Sequence, residues 1–238
     1  MAEFKSHRSY LVFAATSVSR WRFTRSPDQA EFLETLLATS AKKEEVVPAG
    51  SPVWRAQVGH DWRPEESICE RVPCPFPEDR MKPLRDRAFE GRVNPKGIPF
   101  LYVATHEETA VPEARPWVGA FVSVAQLTTA RELRLINFTS DDRRTVLYFK
   151  EPDAPERESA VWRDIDRAFS RPVVVGDDVA GYVPTQIVAE VVRQHGFDGV
   201  AYRSSLGPGH NIALFDLDAA AILNLSLVEI RSMKVEYE

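Results

Sequence analysis

Apolar positions in this chain recur with two periods, one near 3.6 residues and one of two, and the two are interspersed. Ser26 precedes Pro27, with Gln29 three residues after Ser26. That order predicts an N-cap, a proline in the first turn and a capping-box partner. Phe32, Leu33, Leu36 and Leu37 follow at helical spacing, and the helix runs out within "AKKEEVVPAG". Upstream, "YLVF" reads as a strand, so residues 1–48 read as a strand-helix extension. "PVWRAQV" predicts a strand ending near Gln57, and residues 59–88, rich in Pro, Arg and acids, a long loop with one helical turn. "GIPFLYVA" is strand-like to Val103. Thr105 and Glu108 predict a capping box for a helix from about His106, which Pro112 should end or kink. "AFVSVAQL" and "ELRLINF" alternate as strands, while Ala160, Val161, Ile165, Ala168 and Phe169 have helical spacing. Pro184 and Gly196 bracket a further helix. "DGVAYRSS", "LGPGH" and "NIALFD" read as strand, turn and strand, and the last apolar run predicts one more strand.

Strands and helices are mixed without regular strand-helix repeats, and no glycine-rich strand-to-helix loop is present. The expectation is an α+β fold with mainly antiparallel sheets: one domain over 49–238 behind the 1–48 extension. The 238 residues, 44% hydrophobic and 27% charged, suffice for a real core. A net charge of −5 argues against direct nucleic-acid coating. The two cysteines, Cys69 and Cys74, form no CxxC pair, which predicts neither a disulfide framework nor a zinc site and points to a reducing, cytoplasmic setting. No apolar run approaches the roughly 18–20 residues of a membrane span. The five histidines have no metal-ligand spacing, and no GxSxG, HExxH or P-loop occurs.

Several side chains could carry chemistry, although each has an ordinary reading beside it. Arg55 interrupts an apolar strand and is either solvated or a fork for a phosphate. Arg92 follows Gly91 on a turn and is either a turn arginine or a second cation. Tyr102 ends an apolar strand as a core residue or as a wall for a flat ring. Glu113 is a surface carboxylate or a charge facing a developing cation. Ser204 stands beside Ser205 at the end of a strand.

Three stretches taken together, "VWRA", "GRVNPKGIPFLYVATHEETAVPEARP" and "GFDGVAYRSSLGPGHNIALF", resemble the RES domain, a family of bacterial toxins named for arginine, glutamate and serine. The resemblance covers about residues 52–217 and falls on Arg55, Arg92, Tyr102, Glu113 and Ser204, with Asn211 on the strand after the turn. It implies an ADP-ribosyltransferase-like fold with NAD in a cleft between two small sheets. The implied activity is cleavage of the nicotinamide-ribose bond by a glycohydrolase or phosphorylase, with inorganic phosphate as a candidate co-substrate and no other cofactor or metal. The alternatives are a protein ADP-ribosyltransferase and a non-catalytic nucleotide-binding module. The partner it implies is an antitoxin of the Xre type, with oligomerisation left open. In this reading Glu113 stabilises the positive ribose and Arg55 and Arg92 hold the pyrophosphate. Tyr102 packs on nicotinamide or its ribose, Ser204 orients the ring or the glutamate, and Gly91 and Gly97 permit close approach of the backbone.

Overall fold

Aromatic packing decides the first element. Tyr10, Phe13 and Ser17 are buried while Leu11 and Val12 stay exposed, which is a helical spacing, and Ser9–Ser19 forms α1 where a strand is expected. The Phe13 ring stacks on Phe32 with centroids 4.6 Å apart, and Tyr10 packs on the same ring. A strand would put Tyr10 and Phe13 on opposite faces, so tertiary contact overrides the β propensity of the run. The computed structural model describes residues 2–65, 67, 70–142, 146–171 and 179–234.

Helix α2, Pro27–Ser40, begins as expected: the Ser26 hydroxyl accepts from Gln29 N, and the Gln29 side chain accepts from Ser26 N. A strand follows it, β1 (Glu44–Val47), which pairs antiparallel with β7 (Leu133–Asn137) at the edge of the main sheet. The first 48 residues are thus two helices and a strand, not a strand and a helix. β2 is Pro52–Val58. The stretch expected to be a long loop contains the hairpin β3 (Asp61–Glu65) and β4 (Glu70–Cys74), then the one-turn helix α3 (Glu78–Met81). Cys74 is a free thiol, and Cys69 lies outside the described residues.

β5 (Leu101–Ala104) leads into α4 (Glu107–Glu113). The expected capping box is absent there. His106 is the N-cap and makes no side-chain cap bond, while the Thr105 hydroxyl accepts from His210 N at 3.0 Å across to the neighbouring strand. β6 (Phe121–Thr129), α5 (Ala154–Ser170), α6 (Val183–Gln194), β8 (Gly199–Arg203), β9 (His210–Leu214) and β10 (Ala220–Glu229) follow the sequence pattern.

The sheet order is β1-β7-β8-β9-β5-β2-β6-β10, and only β7 and β8 pair in parallel. The α+β class with a mainly antiparallel sheet is therefore what the chain adopts. The expected two sheets are one hydrogen-bonded sheet that nearly parts in the middle: β5 and β2 share the single register pair Trp54↔Ala104. One core lies between the strands and α1, α2, α5 and α6. It takes Val200 and Tyr202 of β8, while Ala201 between them faces the second core on the other side.

Leu36, fully buried on α2, belongs to the same apolar cluster as Val188 of α6 and Val200 of β8. Leu36→Ala should destabilise the whole molecule by about 2–5 kcal/mol in a single cooperative urea transition. A separate early transition for the N-terminal elements would contradict this shared core.

Candidate functional site

The near-parting of β5 from β2 opens a cleft, and α4 lies across it, packed on β2, β5, β6 and β9. Pro112 sits in the last turn of α4 and the helix stops one residue later, so Glu113 is its final residue. Glu113 Oε1 accepts two hydrogen bonds, from Ser204 Oγ at 2.7 Å and from Asn211 Nδ2 at 2.6 Å. Ser204 follows β8 directly and is buried, with its hydroxyl also accepting from Leu206 N, and Asn211 is buried on β9. Of the two adjacent serines it is Ser204 that reaches the glutamate; Ser205 is exposed on the cleft wall. The turn between β8 and β9 presses on α4. A Cβ on Gly207 would lie 2.6 Å from Glu108 O, so only glycine allows this approach.

The cleft has two chambers that meet at Glu113, Tyr202 and Asn211. One, of about 250 Å³, is walled by Trp54, Arg55 and Tyr102. The other, of about 320 Å³, is cationic, with Arg92, Arg115, Arg171 and Arg203 on its walls. A larger cavity of about 450 Å³ lies between α1 and α2, lined by Phe13, Phe32 and Trp21. It holds none of the candidate site residues read from the sequence.

Arg55 is half-buried beside β5. Its Nη1 donates to Tyr102 O at 2.9 Å, and its Nε has no hydrogen-bond partner among the described residues. Burial pushes its guanidinium down to about 10, so it remains charged at neutral pH with donor capacity unused. Tyr102 is fixed at its tip. Its hydroxyl donates to Asn94 Oδ1 at 2.7 Å and accepts from Val93 N at 3.0 Å. Gly91 makes room for that pair, because a Cβ there would fall 2.6 Å from Asn94 Oδ1 and 2.7 Å from the Tyr102 hydroxyl. The close approach at Gly91 is thus to the protein itself. Gly97 has nothing near it and serves a turn at φ +91°.

Arg92 departs from the simple picture of a phosphate clamp. Its guanidinium donates to Ala168 O at 3.1 Å, to Phe169 O at 2.6 Å and to Arg171 O, capping the C-terminal carbonyls of α5. It lines the cationic chamber while holding the end of α5 in place.

The family model described as the RES domain matches residues 52–235, well over half the chain. The chain belongs to the RES domain family. No match among curated proteins is found. Among solved structures, one from the M. tuberculosis MbcT-MbcA toxin-antitoxin complex is similar at 14% identity with a TM-score of 0.43, over 82% of this chain and 92% of that one.

Several residues that build this RES-domain cleft have no role in the reading of the sequence. Gln186 Nε2 donates to Gly91 O and Asn94 O, and the Thr185 hydroxyl donates to Arg92 O, so α6 clamps the Gly91–Asn94 turn from behind. The available signal was two polar residues between Pro184 and Ile187 on an otherwise apolar helix. Trp54, Tyr202, Arg115, Arg171 and Arg203 also line the cleft. Arg203 is tied to Asp166 at 3.1 Å and to Ser140 O.

Burial pushes the Tyr102 phenol up to about 12, and the hydrogen bonds from the Val93–Asn94 turn only partly offset this. An unfolded tyrosine ionises near 10, so the folded protein keeps a proton that the unfolded chain loses. Stability supplied by Tyr102 is complete below pH 10 and declines as pH rises from 10 to about 12. Tyr102→Phe should therefore flatten the alkaline fall in stability, read as the slope of unfolding free energy against pH. An unchanged slope would mean that the phenol is not held neutral.

Proposed function

We propose that this RES-domain protein cleaves the nicotinamide-ribose bond of NAD. The supporting observation is the pinned carboxylate: Glu113 is held through one oxygen by Ser204 and Asn211, and its Oε2 has no protein partner among the described residues. It stands where the aromatic chamber meets the cationic one. The two chambers suit two parts of NAD, its flat cationic ring and its pyrophosphate.

The chemistry asks little of an acid or a base. The C1′–N bond breaks with its electron pair passing to nicotinamide, which leaves neutral, and positive charge builds on the ribose as in glycoside cleavage. A carboxylate fixed beforehand stabilises that charge without reorganising. The free Oε2 of Glu113 is the atom for this role and for holding a ribose hydroxyl. Ser204 and Asn211 position it, Tyr102 and Trp54 provide a wall for the ring, and Arg55 lines the same chamber. An acceptor oxygen then bonds to C1′. Water would yield ADP-ribose and inorganic phosphate would yield ADP-ribose 1-phosphate. Consumption of NAD accords with a toxin held in check by an antitoxin, of the Xre type in this reading, and with action in the cytoplasm.

Glu113→Gln retains the shape and the Ser204 bond but removes the charge. Its kcat for nicotinamide release should fall by two to three orders of magnitude, roughly the loss seen when a single preorganised electrostatic group is removed. Ser204→Ala and Asn211→Ala should lower kcat by about tenfold each, with KM for NAD little changed. Wild-type turnover by Glu113→Gln would end the proposal. Label passing from NAD to a protein instead of to a small-molecule product would move it to ADP-ribosyl transfer.

A further inference from the structure

Arg115 occupies a backbone position that its type disfavours twice. Its φ is +52°, and it is the non-glycine residue with positive φ among those described. Left-handed backbone is where helices end on glycine, and the residue before a proline is pushed toward extended backbone. Arg115 ends α4 in that conformation and is followed directly by Pro116. Nothing in the packing demands an arginine: the residue is exposed, and its guanidinium has no hydrogen-bond or ion-pair partner among the described residues. Strain kept at such a position marks a functional constraint.

What the conformation achieves is placement. The residue stands two after Glu113 and its side chain lines the cationic chamber beside Arg171. Arg92 is committed to the carbonyls ending α5 and Arg203 to Asp166 and Ser140, which leaves Arg115 and Arg171 as the arginines of this chamber whose guanidinium has no partner among the described residues. A guanidinium with all its donors free, on a cleft wall, matches a doubly charged phosphate group.

We propose that Arg115 is a substrate-positioning residue that binds the pyrophosphate of the dinucleotide and sets the distance from it to Glu113. This rests on the NAD reading of the cleft. It shifts the phosphate-holding role given to Arg92 onto a residue to which the resemblance assigns no role. The turn keeps Arg115 on the chamber that Glu113 also lines, so pyrophosphate held by Arg115 places the adjoining ribose within reach of Glu113.

Calorimetry with inorganic pyrophosphate and with ADP-ribose tests the binding directly, beside steady-state turnover of NAD. Arg115→Ala keeps the strain and removes the guanidinium. Both ligands should bind it roughly tenfold or more weakly, the worth of a charge-assisted hydrogen bond. Its KM for NAD should rise by a similar factor with kcat less affected. Arg115→Lys should recover only part of the affinity. Arg115→Gly removes strain and cation together, so its Tm should rise while its affinity for pyrophosphate falls. A rise in Tm with unchanged affinity would overturn the proposal, because Arg115 would then be an ill-suited helix end and nothing more. Unchanged pyrophosphate binding in Arg115→Ala would overturn it equally. An inactive wild-type protein that still loses pyrophosphate affinity on Arg115→Ala would refute the NAD reading and leave the anion site standing.

Discussion

The structure turns on one register pair. Between Trp54 and Ala104 the eight-stranded sheet is continuous by a single pairing, while β2 and β6 stay matched from Pro52↔Thr128 to Val58↔Val122. A sheet cannot lose its ladder without finding other partners for the freed backbone groups. Here Arg55 reaches across to Tyr102 O, and α4 covers the opening. The gap that follows is the cleft. Each candidate site side chain is placed by what borders it: Glu113 by the end of α4, Ser204 by the residue position after β8, Asn211 by β9 and Tyr102 by β5.

The second dependence runs through buried polar groups. α6 presents Thr185 and Gln186, both buried, to the backbone of the Gly91–Asn94 turn. Asn94 in turn holds the Tyr102 hydroxyl, and Arg92 closes the end of α5. Buried networks of this kind are rigid when each member is satisfied. The result is a cleft whose walls are set by helix-to-turn hydrogen bonds, and on it Glu113 Oε2 and the Arg115 guanidinium have no partner among the described residues.

Local signals were enough where the local chain decides. The Ser26–Gln29 cap, the α5 stripe, the α6 boundaries and most strands of the sheet follow from spacing alone. The N-terminal strand failed because aromatic contacts between Tyr10, Phe13 and Phe32 are worth more than the β propensity of "YLVF". β1 was missed because an exposed edge strand of four residues has little pattern to show. The motif residues named the wall of the site but not its division of labour. That Arg92 would spend its donors on α5, 76 residues away, is a matter of tertiary position. That Arg115 would be left free follows only from a turn conformation that its sequence, Arg before Pro, argues against.

A crystal structure of the Glu113→Gln protein with NAD bound would test the account most directly. It predicts C1′ of the nicotinamide ribose beside the side chain at 113, the ring against Tyr102 and Trp54, and the pyrophosphate among the arginines of the other chamber. NAD bound elsewhere, for instance in the cavity between α1 and α2, or lying with its adenine end at residue 113, would contradict it.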